Sequence, residues 1–199
     1  MSVAFDKKAP TFRHKQYADY KAGRKKMPDE LAQQLQPLKD LLDKFNINRL
    51  ELEGYEADDL IGTVARLGEE NDFKVYIVTG DKDAIQLASH KTTTLITKKG
   101  VGEVEEYNYD SVLERYEMTP TQFIDLKGLM GDKSDNIPGV PGIGEKTGIK
   151  LLKQYSTIEN LIEHTDELKG SIKKKIEENK ELALMSKELA TIKTNVPLD

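Results

Sequence analysis

Val75-Tyr76-Ile77-Val78-Thr79-Gly80-Asp81-Lys82-Asp83 sets the fold class. Its first five residues form an unbroken β-favouring run, the mark of a strand buried on both faces in a parallel sheet. A glycine turn then delivers two acids. Upstream, Ala57, Leu60, Ile61, Val64 and Leu67 recur at helical spacing, predicting a helix from about Glu56 to Asn71 with those residues on its inner face. Before it, Leu50 and Leu52 alternate with acids as a short strand. Leu31, Leu35, Leu38, Leu42 and Phe45 predict an earlier helix, kinked or delayed by Pro37. Val3-Ala4-Phe5-Asp6 reads as the end of a buried strand that stops at an acid. Strand, acid, helix, strand, acid is an α/β order. Ligands of such sheets gather beyond the carboxyl ends of the strands, where Asp6, Asp81 and Asp83 fall.

Downstream, Thr92–Ile96 and Val104–Tyr107 predict a hairpin joined through Lys99-Gly100, after which the pattern turns helical. Thr119-Pro120 has the form of a cap with proline at the first helical position, and Ser156-Thr157-Ile158-Glu159 that of a capping box. The stretch from Gly128 to Gly148 is rich in glycine and proline and predicts a long structured loop with a hairpin. Two regions result: an α/β core over residues 1–112, with a basic segment, and a helical region over 113–199.

The 199 residues carry 30 Lys+Arg against 35 Asp+Glu, a net charge of −5. Taken alone that argues against a polyanion partner, but the charges are segregated. Lys7 to Lys26 holds eight basic residues and one acid, Asp19, while carboxylates gather as Glu56-Ala57-Asp58-Asp59, Asp81-Lys82-Asp83 and Asp132-Lys133-Ser134-Asp135. Segregation of this kind suits a polyanion together with divalent metal. Cysteine is absent, which excludes disulfides, thiolate zinc sites and cysteine nucleophiles, and fits a cytoplasmic residence. No apolar run is long enough to span a bilayer, so no membrane partner is expected.

Asp6, Glu56, Asp58, Asp59, Asp81, Asp83, Asp132 and Asp135 all fall at element ends or in tight turns. Any one knot reads as caps and solvated acids; four knots in such places point to hard cations, Mg²⁺ or Mn²⁺, that relieve their mutual repulsion. Zinc is disfavoured, since His14, His90 and His164 are scattered. Gly142-Ile143-Gly144, opening a helix with Lys146-Thr147, offers backbone N–H groups to a phosphate. Beside the acidic loop it has the form of a helix-hairpin-helix clamp that holds DNA phosphates without reading sequence. Arg13, Tyr17, Tyr20, Lys21 and Arg24 recur every three or four residues, placing aromatics and cations on one face of a helix, an arrangement that binds single strands.

Ala4-Phe5-Asp6, Phe12-Arg13, Tyr20-Lys21-Ala22-Gly23-Arg24, Tyr55 to Asp59, Thr79 to Asp83, Gly131 to Asn136 and Gly139 to Thr147 together resemble, in order and spacing, the 5′-nuclease domains of bacterial DNA polymerases I. The resemblance implies a flap-endonuclease (PIN-like) fold: a mostly parallel twisted sheet flanked by helices, an arch over the active site, and the helix-hairpin-helix DNA clamp in the helical region. It implies a first metal cluster at Asp6, Glu56, Asp58 and Asp59 and a second at Asp81, Asp83, Asp132 and Asp135. Lys21 and Arg24 become cations at the scissile phosphate, Tyr20 an aromatic at the terminal base, and Arg13, Gly142, Gly144, Lys146 and Thr147 further DNA contacts. Implied substrates are 5′ flaps, nicked or gapped duplexes and RNA primer ends. K⁺ at the hairpin, polymerase modules on the same polypeptide, and a monomeric, nucleoid-associated bacterial protein complete the expectation.

Two departures matter. Members of that family begin with a strand ending in a further metal-ligand Asp; none precedes Phe5-Asp6 here, so much reduced activity is expected of these 199 residues alone. Gly148 stands where such hairpin helices carry Ala, a loss of about 1 kcal/mol in helix propensity. The rival reading is a catalytically inactive module that grips duplex DNA through the hairpin. A haloacid-dehalogenase-like phosphatase ranks below both, because position 8 is Lys8 where that family requires Asp.

Overall fold

The structure, a computed structural model, describes residues 1–98 and 102–198. Strand β1 (Ser2–Ala4) pairs in parallel with β2 (Asn48–Leu50), and β3 (Val75–Thr79) pairs in parallel with β4 (Thr92–Thr97), which pairs antiparallel with β5 (Val104–Tyr107). The sheet is therefore in two pieces, of two and three strands. The expected connection through Lys99-Gly100 lies outside the described residues. Helix α1 (Phe12–Gln16) and α2 (Asp29–Lys44) lie between β1 and β2, and α3 (Ala57–Glu70) leads toward β3. Its Ile61 and Ala65 pack on Val75 and Ile77 of β3, which is why the apolar residues of both recur at their own periods.

The expectation that β3 is buried on both faces is corrected. Ile77 is 5% exposed, but Tyr76 and Val78 are 64% and 65% exposed, because no element among the described residues covers their side. Helix α2 likewise buries none of its residues, and it runs through Pro37 from Asp29. Along α3, the fully covered positions include Asp59, Leu60, Gly62, Thr63 and Ala65, while Leu67 is exposed.

The C-terminal half is helical: α4 (Tyr109–Tyr116), α5 (Gln122–Met130), α6 (Glu145–Tyr155), α7 (Ile158–Glu163), α8 (Gly170–Glu178) and α9 (Lys180–Ala190). Helix α5 begins two residues after Pro120, and Thr157, not Ser156, caps α7 by accepting the Asn160 N–H. The largest apolar core lies here, where Leu129, Leu152, Ile158, Leu161 and Ile176 are all but sealed. Gly148 of α6 faces Leu126, whose Cδ1 would lie 2.8 Å from an added Cβ. The obstacle is the end of a leucine side chain, which could shift, so the packing of α5 against α6 is tight here without requiring glycine. Residues 189–196 then cross back to the first half. Gln86 accepts the Ile192 N–H and donates to the Ala190 carbonyl, and Thr63 Oγ1 accepts the Val196 N–H.

Candidate active site

Four chain segments bring the acids together. Asp6, just beyond β1, accepts the Ala57 N–H at 2.7 Å, which ties it to the first turn of α3 where the helix dipole favours negative charge. Glu56 caps α3 and Asp58 follows within that turn. Asp81, just beyond β3, accepts the Asp83 N–H at 2.9 Å and starts the short 3₁₀ turn Lys82–Leu87. Asp135 arrives on the loop between α5 and α6. That loop is closed by paired Asp132–Ile137 backbone hydrogen bonds of 2.9 and 2.8 Å. Its ends meet at two glycines: a Cβ on Gly139, at φ +62°, would lie 2.2 Å from the Gly131 nitrogen.

Asp6, Glu56, Asp58, Asp81, Asp83 and Asp135 line one cavity of about 210 Å³, with Tyr20, Lys21 and Arg24 on its wall. Lys21 donates to Glu56 at 2.8 Å and Arg24 pairs with Asp135. The Tyr20 hydroxyl reaches both Glu56 and Asp135 at 3.2 Å. Burial, then the charge on Glu56, holds that phenol far above its ordinary range, so it stays a hydrogen-bond donor at any pH the protein meets. Burial, then the charges of Asp81, Glu56 and Asp6, pushes Asp58 up to about 7.

Those donors fit a divalent cation by their chemistry: hard oxygen ligands, at least one of them with its carboxyl pushed up to about 7 by burial and then by its neighbours' charge. As placed, no three of them stand close enough to hold an ion among the described residues. Ammonium and guanidinium groups carry out part of the neutralisation instead. Lys127, on α5, bridges Asp83 and Asp132, the latter at 2.6 Å. Burial opposes charge on Asp132, but hydrogen bonds from Lys127 and Ser134 outweigh it and bring the carboxyl down to about 2.

Several expected roles are corrected. Asp59 is fully buried and turned away from the cavity. Its oxygens accept two bonds from Arg13 at 2.8 Å and the N–H groups of Glu56 and Lys193, which leaves none for a metal. Arg13 is 2% exposed and donates also to the Leu189 and Thr191 carbonyls, so its donors are largely spent inside the protein, at the base of the cavity, rather than presented to a DNA phosphate. Asp132 is held by Lys127 and Ser134 away from the cavity wall. The continuous basic helix is replaced by α1, five residues long, followed by turns in which Lys21 takes φ +58°. Tyr20 is 3% exposed, packed against Ile137 and Leu189, and presents no ring face for a base to stack on.

Lys127 and the inward turn of Arg13 were not foreseen. A signal existed for the first: Asp125 and Lys127 are the only charges in the otherwise apolar Phe123–Met130, and a buried charge requires a partner. At the hairpin, Gly142, Gly144 and Lys146 are exposed and Thr147 is half-buried. Gly144 caps α6 with an extended backbone, and the Gly142 carbonyl accepts the Lys175 ammonium at 3.0 Å. His14 is spent locally, its Nδ1 bonding the Thr11 N–H at 3.2 Å.

Residues 1–117 match the 5′-3′ exonuclease N-terminal resolvase-like domain, and residues 118–199 match the 5′-3′ exonuclease C-terminal SAM fold. The chain belongs to the 5′-3′ exonuclease family. DNA polymerase I of Bacillus subtilis (strain 168) is 56% identical over all of the chain, and that of Bacillus caldotenax 50%. The chain spans 23% of the length of each. Among solved structures, bacteriophage T5 5′-exonuclease with bound zinc is 27% identical at TM-score 0.81, over 97% of this chain and 74% of that one. The T5 D15 flap endonuclease in a complex with DNA and metal ions is 25% identical at TM-score 0.80, again over 97% and 74%. The catalytic core of Rad2, 18% identical at TM-score 0.55, shares the fold. The architecture is thus the α/β, PIN-like one of these nucleases. No helix among the described residues is long and apolar enough to cross a membrane.

Proposed function

We propose that this 5′-3′ exonuclease family member hydrolyses DNA phosphodiester bonds at 5′ ends and flaps, including RNA primer ends and nicked or gapped duplexes, with Mg²⁺ or Mn²⁺. The observation that carries the reading is the cavity at the carboxyl ends of β1 and β3, where six carboxylates meet three cations and a phenol.

Asp6, Glu56, Asp58, Asp81, Asp83 and Asp135 would hold the ions, with Asp132 reached by release of Lys127. Bound divalent ions supply an acidified water and charge stabilisation at the leaving oxygen. The chain's own residues do the rest. Lys21 and Arg24 exchange Glu56 and Asp135 for the non-bridging oxygens of a phosphate and offset charge that grows there. Tyr20 holds Glu56 and Asp135 in place from behind. Exposed Gly142 and Gly144, with Lys146 and Thr147, grip the duplex backbone at the amino end of α6. A K⁺ ion at the hairpin carbonyls, a monomeric state, polymerase modules on the same polypeptide and residence at the bacterial nucleoid belong to the same proposal.

The test is cleavage of a 5′-flap DNA with Mn²⁺ against chelator. Metal-dependent release of the flap, lost in Asp81→Asn, supports a nuclease. Salt-sensitive binding of the same DNA with no cleavage at any metal concentration would leave only the gripping module.

A further inference from the structure

We propose that Asn136 is a positioning residue: it latches the basic turn to the acidic loop and so sets the Lys21 ammonium at the cavity. The inference rests on the nuclease reading and adds to it the group that places one of its cations. Residues 18–23 make two successive turns, with the Tyr20 N–H on the Tyr17 carbonyl and the Arg24 N–H on the Lys21 carbonyl at 3.0 Å each. The buried Tyr20 ring, packed on Ile137, anchors this segment at one point, about which it is free to swing. Two bonds, one on either side of Tyr20, fasten it to the loop between α5 and α6. The Asn136 side-chain amide donates to the Asp19 carbonyl at 2.6 Å, across 117 residues of sequence, and the Lys21 N–H donates to the Asp135 carbonyl at 2.9 Å. Lys21 and Asn136 both take left-handed backbone, at φ +58° and +56°. Asparagine adopts it readily; a lysine holds it only where its surroundings impose it.

The ion pairs of the turn cannot hold it through a reaction. Lys21 bonds Glu56 at 2.8 Å and stands 3.8 Å from Asp135, Arg24 pairs with Asp135, and the Tyr20 hydroxyl reaches both acids. A phosphate and a cation entering the cavity compete for those same groups, so each of these ties is given up as the site fills. Neither latch bond uses a carboxylate. Both end on backbone carbonyls, and both survive the exchange. Asn136 is exposed, so its amide is solvated when released and no buried group depends on it. Its bond to Asp19 therefore serves the register of the turn rather than the stability of a core. Loss of that register displaces a cation from the phosphate it must meet, and a displacement of about 1 Å is enough to slow a reaction severely.

Two variants separate the amide from the backbone. Asn136→Gly keeps the left-handed conformation and removes the donor, and Asn136→Asp keeps the shape but presents an acceptor to the Asp19 carbonyl. In the 199-residue chain with chelator, both should raise amide hydrogen exchange at Lys21 about tenfold or more, with the Asp132 and Ile137 amides unchanged. Both should weaken binding of a 5′-flap DNA in chelator about threefold and slow its cleavage with Mn²⁺ about tenfold, yet add less than about twofold in a Lys21→Ala background. Unchanged exchange at Lys21, joint loss of Asp132 and Ile137 protection, or equal losses with and without the Lys21 side chain each overturn the proposal. A parent chain that binds the flap and cleaves nothing overturns the hydrolytic reading alone, and exchange and binding then decide the latch. A parent chain that does not bind the flap overturns both.

Discussion

Arg13 grips Asp59 through two parallel 2.8 Å hydrogen bonds inside a wall where both side chains are sealed from water. The same guanidinium bonds the carbonyls of Leu189 and Thr191, and the same carboxylate bonds the Glu56 and Lys193 N–H groups. Four of the five guanidinium N–H groups and both carboxylate oxygens are hydrogen-bonded, with Glu56 3.5 Å from the remaining guanidinium edge, the kind of near-complete pairing under which a buried ion pair is tolerated. Removing one partner strands the other. Asp59→Asn or Arg13→Met should therefore lower stability by about 3–5 kcal/mol in denaturant titration. Arg13→Lys should lose most of that too, since an ammonium cannot reproduce the fork. A loss under about 1 kcal/mol in these variants would mean that the pair is not a structural anchor.

Asp58 sets a pH dependence. Its carboxyl, raised to about 7 by burial and by the charges of Asp81, Glu56 and Asp6, keeps a proton between roughly pH 4 and 7 that the unfolded chain has released. Stability contributed by that proton is present below this window and declines as pH rises through it. In chelator the melting temperature should fall between about pH 4 and 7, and Asp58→Asn should flatten the fall. Mn²⁺ should restore most of it at pH 8. An unchanged slope in Asp58→Asn would remove Asp58 as its source.

Lys127 occupies a place that a cation could take. With its ammonium between Asp83 and Asp132, Lys127→Met leaves two carboxylates facing each other uncompensated. The variant should melt lower than the parent in chelator and gain more from added Mn²⁺. Equal metal-induced shifts in melting temperature for the two proteins would show that lysine and metal do not compete for these oxygens.

Gly139 holds the acidic loop shut. Its positive φ and the 2.2 Å approach that a Cβ would make to the Gly131 nitrogen leave an alanine no room, and the obstacle is backbone. Gly139→Ala should cost about 3 kcal/mol or more and should open the Asp132–Ile137 bridge. Persistent slow exchange of the Asp132 and Ile137 amides in that variant would contradict this.

What could be read from the residues alone divides along physical lines. β3 was legible because β-branched runs state their conformation; its exposed face was not, because burial depends on what covers a strand. Acids at strand ends were legible as a group. Asp58 and Asp59 could not be separated, although a rotation of about 100° between neighbours on a helix turns one to the cavity and the other to Arg13. The basic segment misled for a related reason. Spacing of three and four suggests a helix, but it ends at Gln16, and Tyr20 is buried among Ile137, Leu189 and Ala190. A charge count also cannot tell which cations face solvent and which, like Arg13 and Lys127, are enclosed.

Crossing of residues 189–196 onto α1 and α3 makes the unit of folding larger than either unit of sequence similarity. The junction between the two matched domains falls after residue 117, and cutting there would separate Arg13, Thr63 and Gln86 from every partner they have at Leu189, Ala190, Thr191, Ile192 and Val196. Neither half can be shuffled into another protein as an independent cassette without leaving buried polar groups open. The two halves must be inherited, expressed and engineered as one piece.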